Sequence, residues 1–323
     1  MKLREFLQTA AVAVALGIIG PATALAQAWP DKPVKVIVPF AAGGATDLLA
    51  RPWAEVLSKA FNQQFVIENR GGASGLIGAE AAYRAAPDGY TFLFSSNSTT
   101  VFQPLLRKVN YDSKNFVVVA RMGDSISGFV VHPKHGFKTL QDLITYAKAN
   151  PGKLTFGSSG AGTTTHLRYE MLRFKAGIDI LHVPYRGGAD SITDLLAGVI
   201  DIMNEGSTLT HAKAGKLTLL NVNHFERFAE FPDVPTLTEA GLKDADVPVW
   251  FALYAPPNTP KEIAEKINAK VNEVSATADM KQKMQLASAV PAIQKLDDLR
   301  KHYEDDFKSI GDLIKAADIK IDP

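Results

Sequence analysis

The 323-residue sequence contains no cysteine. That excludes disulfides, thiolate metal sites, a cysteine nucleophile and a cysteine-linked lipid anchor. Net charge is nearly absent as well: 35 Lys and Arg stand against 34 Asp and Glu, a formal +1. A chain so balanced gives no electrostatic case for nucleic acid or an anionic membrane as partner. His182, His211 and His224 are scattered rather than clustered, which suits packing or surface roles better than ligation. No metal or cofactor is expected.

An apolar run long enough to span a bilayer is also missing from the start of the chain. Ala10–Ile19 is uncharged, but it is about half of the ~20 residues a spanning helix needs. Lys2 and Arg4 precede it, and small residues follow in A-x-A spacing at Ala24-Leu25-Ala26 and Ala26-Gln27-Ala28. This is the layout of a secretory signal peptide over residues 1–28, cleaved after Ala26 or Ala28. Export to the periplasm follows as an expectation. The mature chain of roughly 295 residues is more than one core usually fills, so two lobes are expected.

What is present is an alternation of strand-like and helix-like segments. Val34–Phe40 reads as a buried strand and Asp47–Ala60 as a helix. The pattern continues through Gln64–Glu68, Leu76–Arg84 and Tyr90–Phe94, then Val117–Ala120, Phe129–Val131 and Leu140–Ala149. Thr139 and Asp142 mark the start of that last helix. Leu154–Phe156, Thr164–Lys175, Ile178–Val183, Ser191–Leu196 and Val199–Met203 alternate in the same way. Such order implies βαβ units and parallel sheets. Two further helix starts are expected, at Thr236 with Glu239 and at Thr259 with Pro260 and Glu262. Leu299–Ala317 reads as a final helix with Tyr303, Phe307, Ile310 and Ile314 on one face.

The chemistry concentrates where strands end. "VIVPFAAGGATDLLARPWAEVL" and "LTFGSSGAGTTTHLRYEML" share one plan: strand, aromatic, Gly/Ala/Ser loop, Thr, helix. "FLFSSNSTT" and "HVPYRGGADS" are related strand ends. In open α/β sheets ligands sit at such ends, so four loops from two lobes would face one cleft. No loop supplies the lysine of a P-loop, and Gly157, Gly160 and Gly162 lack dinucleotide-fingerprint order. The serine-elbow pattern fails at Ala161, where its last glycine belongs. Free N–H groups at helix starts, with Ser and Thr hydroxyls, suffice to bind a carboxylate. Ordinary capped turns would carry the same residues.

"VKVIVPFAAGGATDLLAR", "ENRGGASGLIGAE", "DGYTFLFSSNS", "GKLTFGSSGAGTTTHL", "HVPYRGGADSITDLLAGVID", "FPDVPTLTEAG" and "WFALYAPPNTPKEIAEKIN" occur in this order. Together they resemble the substrate-binding receptors of tripartite tricarboxylate transporters, the Bug receptors, over essentially the whole mature chain. The resemblance implies a type II periplasmic-binding-protein fold: two α/β lobes with mostly parallel sheets joined by a crossing hinge. Lobe 1 would hold residues 29–130 and 251–323, and lobe 2 residues 131–250, with crossings near Val131 and Trp250. It implies a monomer that captures a small carboxylate, a dicarboxylate or aromatic carboxylate, and hands it to membrane permease subunits.

By position, the resemblance makes Phe40, Ala41, Gly43, Gly44 and Thr46 one pincer on a carboxylate. Ser158, Ser159, Ala161, Gly162 and Thr163 form the other. Ser96 and Asn97 match a third loop, and Tyr185, Arg186 and Gly187 a fourth. Two departures stand out. Ala42 replaces a common proline, and Met203-Asn204-Glu205 stands where an aromatic is frequent. Asn204 would serve the distal end of the ligand, whereas Glu205 argues against an anionic group there unless it faces away. Arg186 would pair with a distal carboxylate or remain a solvated surface residue. The competing reading is an exported hydrolase using Ser159 and His166 on a carboxylated or ester substrate. A sensor domain that reports occupancy to a membrane kinase would use the same fold.

Overall fold

The computed structural model describes residues 29–320 except 225 and 244, so the expected signal peptide lies outside the described residues. The first strand, β1 (Val34–Val38), leads into α1 (Ala45–Phe61), β2 (Phe65–Asn69), α2 (Leu76–Tyr83) and β3 (Thr91–Ser96). A short helix α3 (Gln103–Leu106) and the long β4 (Val117–Ser125) follow. The middle of the chain holds β5 (Phe129–Val131), α4 (Leu140–Ala149), β6 (Thr155–Ser158), α5 (Thr164–Ala176) and β7 (Leu181–Pro184). It continues with α6 (Gly188–Leu196), β8 (Ile202–Asn204), α7 (Leu209–Lys213) and β9 (Thr218–Leu219). The chain ends through β10 (Trp250–Ala255), α8 (Lys261–Ser275), α9 (Ala278–Leu286), β11 (Ala289–Val290) and α10 (Leu296–Ala316).

These strands form two sheets, ordered β11-β4-β10-β3-β1-β2 and β7-β6-β8-β5-β9. The chain passes from the first to the second between Ser125 and Phe129, and back between Leu219 and Trp250. Both sheets are mixed rather than mostly parallel. The βαβ pairs β1–β2, β1–β3, β6–β7 and β6–β8 are parallel. By contrast β10 returns antiparallel between β3 and β4, and β5 runs antiparallel to β8 and β9. β10 and β5 stand next to the crossings, where the chain must reverse to change sheets; β11 also pairs antiparallel, with β4, at the edge of the first sheet.

Each sheet buries both faces, which is why its strands read as continuous apolar runs. Along β10, Phe251, Leu253 and Ala255 enter one core with α1, α8 and α9. Trp250, Ala252 and Tyr254 enter the opposite core with α10. The second sheet divides likewise, with Phe129, Val131 and Ile202 on one face and Val130 and Met203 on the other. On α10 the expected face is present: Tyr303 and Ile310 are buried, with Phe307 and Ile314 packed beside them.

Local signals mark the helix starts unevenly. Thr139 and Asp142 form a reciprocal capping box on α4. Thr236 and Glu239 make the same pair of bonds, yet they close a turn, and no helix follows. Thr259 does not cap α8. Its hydroxyl donates to the Pro256 carbonyl, and Pro260 takes the cap position with no side-chain bond.

The return segment is locked by a buried carboxylate. Asp306 of α10 accepts from Asn97 Nδ2 at 2.8 Å and from Trp250 Nε1 at 2.9 Å. Burial pushes its carboxyl above the ordinary value despite those bonds. Asp306→Ala orphans two buried donors at the end of β3 and the start of β10. It should cost about 1–3 kcal/mol per donor left without a partner. Urea unfolding checks this, and an unchanged midpoint would remove Asp306 as the lock.

Candidate functional site

Three helices begin at one cleft between the two sheets. Ala45 opens α1, Thr164 opens α5 and Gly188 opens α6, and all three residues line it. With its mouth and the open solvent there, the cleft holds about 530 Å³. None of the three helices has a side-chain cap, whereas α4, away from the cleft, caps itself. Uncapped N–H groups and the positive ends of helix dipoles favour an anion here; Glu205 already takes that place at the starts of α1 and α6, which leaves the start of α5 for an anion of the ligand.

The loop between β1 and α1 is shaped by Asp47. Its carboxylate accepts from the Gly43 N–H at 2.9 Å, from Arg51 at 2.9 Å and from Asn69 Nδ2 at 2.9 Å. Asn69 also donates to the Phe40 carbonyl at 3.1 Å. Burial alone would raise the Asp47 carboxyl, but the bonds from Arg51, Gly43 and Asn69 outweigh it and hold the pKa low. Sequence reasoning placed the loop but missed this buckle. Asp47 and Arg51, one helical turn apart, were the available signal.

The loop between β6 and α5 is held mostly by its own chain. The Gly162 N–H donates to His166 Nδ1 at 3.0 Å, and the Ser159 N–H to Thr165 Oγ1 at 2.9 Å. Gly162 takes φ +72°, a conformation open chiefly to glycine. Across the cleft, Gln103 Nε2 donates to the Ala161 carbonyl at 2.9 Å and Arg107 at 3.3 Å. This carbonyl joins the second loop directly to α3.

Of the residues expected at the site, Phe40, Gly44, Thr46, Ser96, Ser159, Thr163 and Asn204 line the cleft. The others do not. Asn97 is committed to Asp306, and the Ser158 hydroxyl meets His182 Nε2 at 2.6 Å. Ala161 and Gly162 face α3, and Ala41 and Gly43 are exposed. Tyr185 donates to Asp194 at 2.7 Å, Arg186 is exposed, and Gly187 is buried beside Ala41. Ser159 and His166 do not meet. The serine hydroxyl donates to Glu205 Oε2 at 2.7 Å, while His166 turns to Gly162 and to Glu170 at 3.4 Å.

Glu205 faces inward. Besides Ser159, its carboxylate accepts from the Ala45 N–H at 3.3 Å. A Cβ on Gly188 would fall 2.1 Å from the Glu205 oxygens, so the carboxylate rests on the bare start of α6. Burial raises its pKa, against the Ser159, Ala45 and Ser207 hydrogen bonds and the charge of Arg168. Arg168 lines the same cleft and is 3% exposed. Its guanidinium bonds to Ser127 Oγ, to Asn204 Oδ1 at 3.3 Å and to the Val247 carbonyl at 3.1 Å. Burial lowers its pKa to about 10, with Asp246 and Glu205 pulling it back up. It stays charged at neutral pH. Arg168 lies four residues after Thr164, which puts both on one helix face; that spacing was the overlooked signal.

His182, behind the second loop, stacks on His166 at 4.2 Å. Burial and then the charge of His166 depress its pKa from 6.5 to about 4. The unfolded chain therefore binds the proton more tightly, so His182 stabilises the fold above about pH 6.5 and loses that contribution as pH falls towards about 4. His182→Gln should flatten the stability loss in this window. Chemical denaturation at stepped pH is the measurement, and an equally steep profile in the variant would reject the assignment.

The chain matches the model of the tripartite tricarboxylate transporter family receptor over residues 49–319. The protein BugT of Bordetella pertussis is 33% identical over 310 residues, 94% of each chain. An R. palustris protein solved with adipate superposes with a TM-score of 0.86 at 31% identity, covering 90% of this chain and 99% of that one. MatC from Rhodopseudomonas palustris, with bound malate, gives 0.83 at 28% identity over 88% and 100%. Those neighbours share the two-lobed periplasmic-binding-protein fold, and the family is one of solute receptors rather than enzymes. This chain belongs to the tripartite tricarboxylate transporter receptor family.

Proposed function

We propose that this protein is a periplasmic receptor that closes its two lobes on a small carboxylate and presents it to the permease subunits of a tripartite transporter. The observation that carries the reading is the cleft itself, where three helices start without caps of their own. The lobes we assign, residues 29–130 with 251–323 and residues 131–250, follow sheet membership to within a few residues. Neighbours solved with adipate and malate supply the chemical precedent. Delivery as a monomer after cleavage at Ala26 or Ala28 belongs to the same reading.

Backbone amides do most of the gripping in this scheme, so metal has no part in it. Short mono- and dicarboxylates should raise the melting temperature while their methyl esters do not, and EDTA should leave the shift intact. A ligand at 100 times its Kd stabilises by about 2.7 kcal/mol. No shift with any acid, or a shift abolished by EDTA, would sink the proposal.

Two substitutions separate backbone from side-chain roles. The Ser159 hydroxyl already donates to Glu205 Oε2, so Ser159→Ala takes no donor from the ligand and should change binding less than about 10-fold. Gly162→Val should be worse, because even a Cβ there lies 2.9 Å from Gln103 Nε2 on the facing lobe. Calorimetric titration of the folded variants decides the order; Gly162→Val binding at wild-type strength would contradict lobe closure at this loop.

A further inference from the structure

Three buried groups in the cleft have capacity that the protein itself does not use. Thr164 is 7% exposed, lines the cleft, and has a buried Oγ1 without a hydrogen-bond partner. It stands at the uncapped start of the 13-residue helix α5. Arg168, one turn further along that helix, makes four N–H bonds, two from Nη1 and one each from Nε and Nη2. A guanidinium has five N–H groups, so one on Nη2 is left. No carboxylate among the described residues lies within ion-pair distance of it. Glu205 accepts from Ala45, Ser159 and Ser207, and an ionised carboxylate offers about four acceptor positions.

The two charges also balance. Arg168 and Glu205 both line the cleft, and their opposite charges offset one another. A second ligand carboxylate arriving at Glu205 would set two buried anions together, which is strongly unfavourable. A hydrogen-bond donor arriving there would fill the remaining acceptor position.

We infer that the cleft is bipolar: Thr164, the start of α5 and Arg168 take the ligand's carboxylate, while Glu205 takes an ammonium or hydroxyl on the same molecule. Glu205 is then the residue that selects amino- or hydroxy-carboxylates over plain dicarboxylates. This rests on the receptor reading above and narrows its substrate class.

The test is calorimetric titration with two matched series: succinate, malate and aspartate, and adipate with its 2-hydroxy and 2-amino forms. In the wild type a donor-bearing member should bind at least about 10-fold more tightly than the plain dicarboxylate, the worth of one hydrogen bond to a charged group. Glu205→Gln should bring the members of a series to near parity. Thr164→Val should leave the ligand-free melting temperature unchanged or higher, since it removes an unsatisfied hydroxyl, yet weaken binding about 10-fold. Plain dicarboxylates binding as well as the others would overturn the inference and leave the receptor reading standing. So would discrimination that survives in Glu205→Gln, or full affinity in Thr164→Val. If no member of either series binds, the inference fails, and the wider acid screen judges the receptor reading separately.

Discussion

A guanidinium buried away from water must be surrounded by oxygen, and Arg168 collects its oxygens from the places where the lobes meet. Ser127 lies in the first crossing between sheets, Val247 in the second, and Asn204 at the end of β8. One side chain on α5 thus ties both crossings to the floor of the cleft. Its charge in turn helps to hold Glu205 as an acceptor between the starts of α1 and α6. The cleft is organised from this cation outward, with Asp47 shaping one wall and His166 the other.

The same economy recurs in the way helices are started. Away from the cleft the starts vary: Thr139 and Asp142 box α4 and Thr277 caps α9, while α8 and α10 have no side-chain cap. Where a helix faces the cleft, glycine or threonine stands at the cap position and gives the first turn no side-chain bond. Fold and function meet because three such starts share one cleft. The unsatisfied groups that would weaken an ordinary helix are the ones that make an anion site.

Much of this was legible in sequence. β1, β5, α4 and α5 follow from apolar runs and cap residues, and the paired Gly/Ser/Thr loops announced the cleft. Contacts between residues far apart in the chain were not legible. Asn97 has the right chemistry for a ligand, but Asp306, 209 positions away, claims it. Ser158 is claimed by His182. Whether Glu205 faced in or out depended on how the chain turns after β8, which no local pattern specifies. Thr259 shows the same limit at short range, because its hydroxyl found the Pro256 carbonyl before it could cap α8.

The Ala161 carbonyl has a kinetic meaning. It accepts from Gln103 and Arg107 on the facing lobe, so the clasp that shuts the cleft lies outside the space the ligand fills. Contacts made only when the lobes meet favour the closed form, so this clasp adds to affinity and slows release together, while the floor decides which ligand is held. A change on the floor can then alter which acid is held and leave the clasp itself untouched.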